Sequence, residues 1–184
     1  MHYATIKKHD IANGPGVRVS LFVSGCTHRC KGCFNREAWD FAYGQPFDES
    51  AANEVLDALA PDYIRGLSLL GGEPFEPQNQ AALLPLIRRV KARYPGKSIW
   101  CYSGYDFEKD MLAGRLGDFA VTRELLSYID YLVDGEFVEA LKSPSLRFKG
   151  SSNQRIIDVQ RSLAEDRVIR WEEDTVDEPE RERN

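Results

Sequence analysis

The chain has 184 residues, 42% hydrophobic and 29% charged, with 14 Gly, 9 Pro and 4 Cys. That length fits one domain with a buried core. The composition excludes wholesale disorder, and a complete eight-stranded (β/α) barrel, at about 250 residues, is too long for it.

The net charge of −5 is unevenly placed: from Glu172 to Asn184 seven acids face two bases, so that segment carries the whole excess. The rest is formally neutral, and nucleic acid is not expected as a partner. No run approaches the roughly 18 apolar residues of a membrane span. The opening MHYATIKKHD lacks the apolar stretch of a secretory signal. A cytoplasmic setting with no membrane partner is the expectation, and there clustered Cys serve as metal ligands or catalytic groups rather than disulfides. The expected organisation is one domain over residues 1–165, followed by an acidic, disordered tail over 166–184.

In chain order, Tyr3 to Lys8 reads as a short strand and Asn13-Gly14-Pro15-Gly16 as a turn. Val17 to Val23 is a nearly continuous apolar run suited to a strand covered on both faces, with Arg18 turned toward a site or solvent. Gly25 to Asn35 is a Cys- and Gly-rich loop. Ser50 is expected to cap a helix over 51–60, stopped by Pro61. Gly66 to Leu70 is a buried strand ending in Gly71-Gly72. Asn79 to Tyr94 is amphipathic, with Leu83, Leu84, Leu86, Ile87 and Val90 inward. Ser98 to Tyr102 reads as a strand, Val121 to Ile129 as a helix, Tyr131 to Asp134 as a strand, and Gln154 to Val159 as a further one. Strands alternating with helices predict an α/β fold with a parallel sheet, whose ligands bind at the C-terminal strand ends.

Those ends carry the chemistry. Cys26, Cys30 and Cys33 follow a strand with C-x₃-C-x₂-C spacing. Three thiolates on one loop suit an iron–sulfur cluster, and a four-iron cluster would keep one iron open to a ligand. The alternative is a structural zinc site completed by His28 or Cys101. His28 is cramped between two of the Cys, and Cys101 lies in an apolar strand where a free Cys is usually a buried hydrophobe. Neither of the other two His, His2 and His9, forms an evident pair with a nucleophile, so no conventional general base is assigned.

The Cys loop, followed by a strand ending in Gly71-Gly72-Glu73-Pro74, resembles the radical S-adenosylmethionine superfamily. The segments Asn13–Arg18, Leu21–Cys26, Cys30–Asn35 with Trp39, Leu69–Pro74, Tyr102–Tyr105, Val133–Gly135 and Gly150–Arg155 are similar to the glycyl-radical-enzyme activases that serve the anaerobic ribonucleoside-triphosphate reductase. They span roughly residues 1–160 in order.

The resemblance implies a partial, open (β/α) barrel of about five to six mostly parallel strands. It also implies a [4Fe–4S] cluster on Cys26, Cys30 and Cys33, and S-adenosylmethionine on its open iron. Cofactor contacts would come from Gly32, Cys33, Phe34, Gly71, Gly72, Glu73, Ser103 and Asn153. Asp134, by its place at a predicted strand end, reads either as a contact to the partner or a cation or as a capping or surface residue. Where the wider superfamily places an aromatic before the third Cys, this chain has Gly32, and its aromatic is Phe34. The implied reaction starts with reduction of the cluster by a flavodoxin-like or other low-potential donor. Reductive cleavage of S-adenosylmethionine to a 5′-deoxyadenosyl radical follows, and that radical abstracts hydrogen from a glycine of the large reductase. The alternatives are an activase of another glycyl-radical enzyme, a small-molecule radical enzyme, or a non-catalytic zinc-binding module.

Overall fold

The computed structural model describes residues 1–172. One seven-stranded sheet organises them: β1 (His2–Asp10), β2 (Val17–Val23), β3 (Gln45–Pro46), β4 (Ile64–Gly71), β5 (Ser98–Tyr102), β6 (Tyr131–Asp134) and β7 (Arg155–Asp158). The spatial order is β3-β1-β2-β4-β5-β6-β7. The central four, β2, β4, β5 and β6, are parallel, while β1, β3 and β7 pair antiparallel at the flanks. The sheet has two ends and is not closed. The expectation of five to six mostly parallel strands is thereby corrected to seven strands in a mixed sheet. The parallel centre was legible because its strands are covered on both faces and read as apolar runs.

Alternation along the strands separates two faces. Val19, Leu21, Leu67, Leu69, Ile99 and Leu132 pack in one buried cluster with side chains of α1 (Glu49–Ala58), α2 (Pro77–Arg93) and α3 (Phe119–Tyr128). The five apolar positions expected inward on α2 are all buried there. The intervening positions, Arg18, Ser20, Ser68, Trp100 and Tyr102, carry polar and aromatic groups.

Several local expectations change. The cap of α1 is Asp48, whose carboxylate accepts from the Ala51 N–H at 3.0 Å, not Ser50. Helix α2 begins two residues earlier than expected, with Pro77 in its first turn, where a missing N–H costs nothing. The last strand stops at Asp158, which caps a short helix α4 (Val159–Glu165). Arg18 faces neither the site nor solvent. The residue is 2% exposed, and its guanidinium bonds to Ser68 Oγ, Ser98 Oγ and the Leu67 and Ser98 carbonyls, stitching β2 to β4 and β5.

Of the segment read as an acidic tail, residues 166–172 pack back onto the domain. Asp158 N–H donates to the Ile169 carbonyl at 2.9 Å, and the Trp171 ring lies edge-on to Trp100 at 5.4 Å. Residues 173–184 lie outside the described residues. No helix among the described residues is long and apolar enough to cross a membrane.

Candidate functional site

A cavity of about 360 Å³ opens where the parallel strands end. That is within the range of small-molecule sites, roughly 300–1,000 Å³. Cys26, Cys30 and Cys33 line it, opposite Gly71, Gly72 and Glu73 from the end of β4 and Ser103 from the end of β5. The loop after β6 supplies Gly135 and Phe137.

Backbone bonds set the two main loops against each other. Gly72 N–H donates to the Val23 carbonyl (2.7 Å) and Glu73 N–H to the Gly25 carbonyl (2.8 Å). A Cβ on Gly72 would fall 2.5 Å from the Gly25 oxygen and 2.8 Å from that of Ala38, so only glycine allows the approach.

Glu73 is the hub. Its carboxylate, 1% exposed, accepts from Phe75 N–H (2.8 Å), Ser103 Oγ (2.9 Å) and Gly104 N–H (2.7 Å), while His28 Nε2 stands 3.3 Å away. Burial works against the charged imidazolium, yet the pull of Glu73, with Glu136 and Glu76, raises the His28 pKa. Glu76 braces the same loop: its Oε1 accepts from Thr27 N–H (2.8 Å) and Thr27 Oγ1 (2.5 Å). From the first turn of α2, Asn79 Nδ2 donates to the Ser24 (3.0 Å) and Glu73 (2.9 Å) carbonyls.

The other expected site residues separate. Phe34 stands at the cavity mouth, 68% exposed, with Phe137 at 5.8 Å and the Lys142 ammonium 4.3 Å from its centroid. Gly32 is exposed and sits beside Glu139 rather than on the cavity wall. Asp134 is 1% exposed. It accepts from the Phe107 N–H (3.0 Å) and pairs with Arg155, which also holds Asp106 and Glu108. Asn153 stands off the cavity wall and donates to the Glu136 carbonyl (2.9 Å).

Its neighbour Gln154 does line the cavity. Gln154 Oε1 accepts from Gly150 and Ser151 N–H, and its Nε2 donates to the Gly135 carbonyl (2.8 Å), closing the base of the 135–154 loop. Sequence reasoning missed Glu76, Asn79 and Gln154 as positioning residues. It weighed His28 only as a zinc ligand. The signal available was polar side chains inside otherwise apolar or loop segments beside a motif.

The residues present fit an iron–sulfur cluster. All four cysteines are free thiols, and the three on the loop share one cavity wall, whereas Cys101 is fully buried in the helix-facing core. The Trp39 Nε1–H beside the loop thiols is buried without a hydrogen-bond partner among the described residues. Burial pushes the Cys26 thiol up to about 11 and raises that of Cys30; coordination to a cationic centre reverses that by deprotonating the thiol outright.

Residues 12–157 match the family model described as "4Fe-4S single cluster domain", the class that the Cys-loop cavity at the strand ends fits. The chain is 44% identical over 158 residues to the anaerobic ribonucleoside-triphosphate reductase-activating protein of Pasteurella multocida (strain Pm70), an alignment covering 85% of this chain and 96% of that protein. It is 42% identical over 156 residues to the protein of that name from Escherichia coli (strain K12), covering 84% and 96%. The counterpart from Enterobacteria phage T4 is 41% identical over 156 residues, covering 85% and 93%. The chain belongs to the family of anaerobic ribonucleoside-triphosphate reductase-activating proteins.

Proposed function

We propose that the protein is a radical S-adenosylmethionine activase that generates the glycyl radical of an anaerobic ribonucleoside-triphosphate reductase. The observation that carries this reading is the convergence of Cys26, Cys30 and Cys33 with Gly71, Gly72 and Glu73 on one cavity at the ends of β2 and β4. The names of its relatives support the reductase as the protein substrate. On this reading the open mixed sheet is the half-barrel of the radical S-adenosylmethionine fold.

Cys26, Cys30 and Cys33 would hold the cluster, which with S-adenosylmethionine supplies the one-electron cleavage and the hydrogen-abstracting radical. The chain's own residues bind, orient and exclude water. Gly71 and Gly72 would let backbone approach the methionine end of the bound cofactor, and Glu73 fixes that loop through Phe75, Ser103 and Gly104. Phe34 and Phe137 form an aromatic rim at the mouth, suited to the adenosine or to the entering glycine segment. Hydrogen abstraction needs placement rather than a tuned base. The electron comes from a flavodoxin-like or other low-potential carrier.

The test combines the anaerobically reconstituted protein, S-adenosylmethionine, a reductant and the reductase, with electron paramagnetic resonance as readout. A glycyl radical is expected, and it is lost when Cys26, Cys30 or Cys33 is replaced by Ala. A colourless protein holding stoichiometric zinc would refute the reading.

A further inference from the structure

At the opposite end of the sheet, where β2, β4 and β5 begin, lies a second cleft of about 670 Å³. Three cations line it: Arg18, Arg65 and Lys97. Arg18 is buried and bonds only to hydroxyls and carbonyls. Lys97 Nζ bonds to the Pro61 (2.8 Å) and Ile64 (2.7 Å) carbonyls. Arg65 is exposed, its stem against Gly16. None of the three has a carboxylate partner among the described residues, and the one acid on the wall is Asp62. Asp130, whose charge also reaches Arg18, is already paired with Lys91 at 2.7 Å.

A buried guanidinium without a counter-charge is costly. Setting two more cations beside it adds repulsion that a bound anion would relieve. Among the described residues of the wall, three cations against Asp62 leave an excess of two positive charges, which matches a ligand carrying two or more negative ones. Arginine's fork of donors suits phosphate oxygens, and the Lys97 ammonium adds a further donor.

We propose that this cleft is a binding site for a phosphate-type polyanion, separate from the cysteine cavity, with Arg65 and Lys97 contacting the ligand and Arg18 supplying charge from the floor. The Tyr131 and Trp171 rings on its wall would meet whatever the phosphates are attached to.

The experiment is calorimetric titration of the full-length protein, without added iron or S-adenosylmethionine, with inorganic pyrophosphate and separately with adenosine diphosphate. Saturable binding that weakens as salt rises is expected. Arg65→Ala and Lys97→Gln should each weaken it tenfold or more, and Arg65→Lys should retain most of it. Circular dichroism confirms that each variant is folded. Absence of saturable binding by both anions, or binding that Arg65→Ala and Lys97→Gln leave unchanged, would overturn the proposal. Neither outcome bears on the cluster, whose ligands lie at the other end of the strands.

Discussion

His28 Nε2 lies 3.3 Å from Glu73 Oε2, joining the cysteine loop to the Gly-Gly-Glu loop through two side chains. The imidazole ring also packs 4.3 Å from Tyr105, and a Cβ on Gly104 would stand 2.7 Å from it. Loops from β2, β4 and β5 therefore meet at one residue pair.

Glu73→Gln puts an amide N–H₂ among groups that already donate: Gly104 N–H, Phe75 N–H and Ser103 Oγ. One buried donor then faces another donor, which costs about 1–3 kcal/mol. Urea unfolding should show that loss, and S-adenosylmethionine affinity of the reconstituted protein should fall with it.

Gly72→Ala forces the two loops apart, because its methyl would overlap the Gly25 and Ala38 carbonyl oxygens. Overpacking of this kind costs about 1–3 kcal/mol. Iron retained per chain after reconstitution and gel filtration should drop below wild type, although every thiol remains.

Cys101→Ala separates the core thiol from the loop thiols. Burial raises its pKa well above the usual thiol range, and it packs among apolar side chains. The variant should lose about 1 kcal/mol, the scale of one buried methyl-sized group, and keep full iron content.

Gln154→Ala removes three hydrogen bonds at the base of the 135–154 loop. Hydrogen exchange at Gly150 and Ser151 should accelerate while β4 and β5 stay protected. Unchanged exchange would show that the remaining contacts hold the loop alone.

Asp106 sets an acid-sensitive contact. Burial opposes its charge, but donation by Lys109 N–H and Lys109 Nζ and the nearby Arg155 outweigh that and hold its pKa below the ordinary Asp value. Its stabilising effect is complete above that value and disappears as the pH falls through the lower, folded-state pKa. Asp106→Asn should therefore be less stable than wild type at neutral pH, and the two should converge in acid, as followed by circular dichroism.

The strands β2, β4, β5 and β6 were readable as apolar runs, and the three-Cys loop by its spacing. What joined them was not. Thr27 and Glu76 are 49 residues apart, and so distant a pairing leaves no local periodicity. Asn79 and Gln80 are polar residues in the first turn of α2, yet both are buried, because their amides donate to the Ser24, Glu73 and Phe75 carbonyls. Asp134 ends β6 as its position predicts, but its carboxylate turns to Arg155 on the neighbouring antiparallel strand and to the Phe107 N–H rather than to the cavity. The capping of α1 went to Asp48 over Ser50, a competition between two good caps that sequence alone leaves level.

The brace from Glu76 to Thr27 has a consequence for engineering. Residues 25–35 are not a portable cassette: transplanted to another sheet they would bring three thiols and His28, but neither Glu76 nor Glu73 to hold them. A minimal graft must carry residues 71–80 along with the loop, including the first turn of α2.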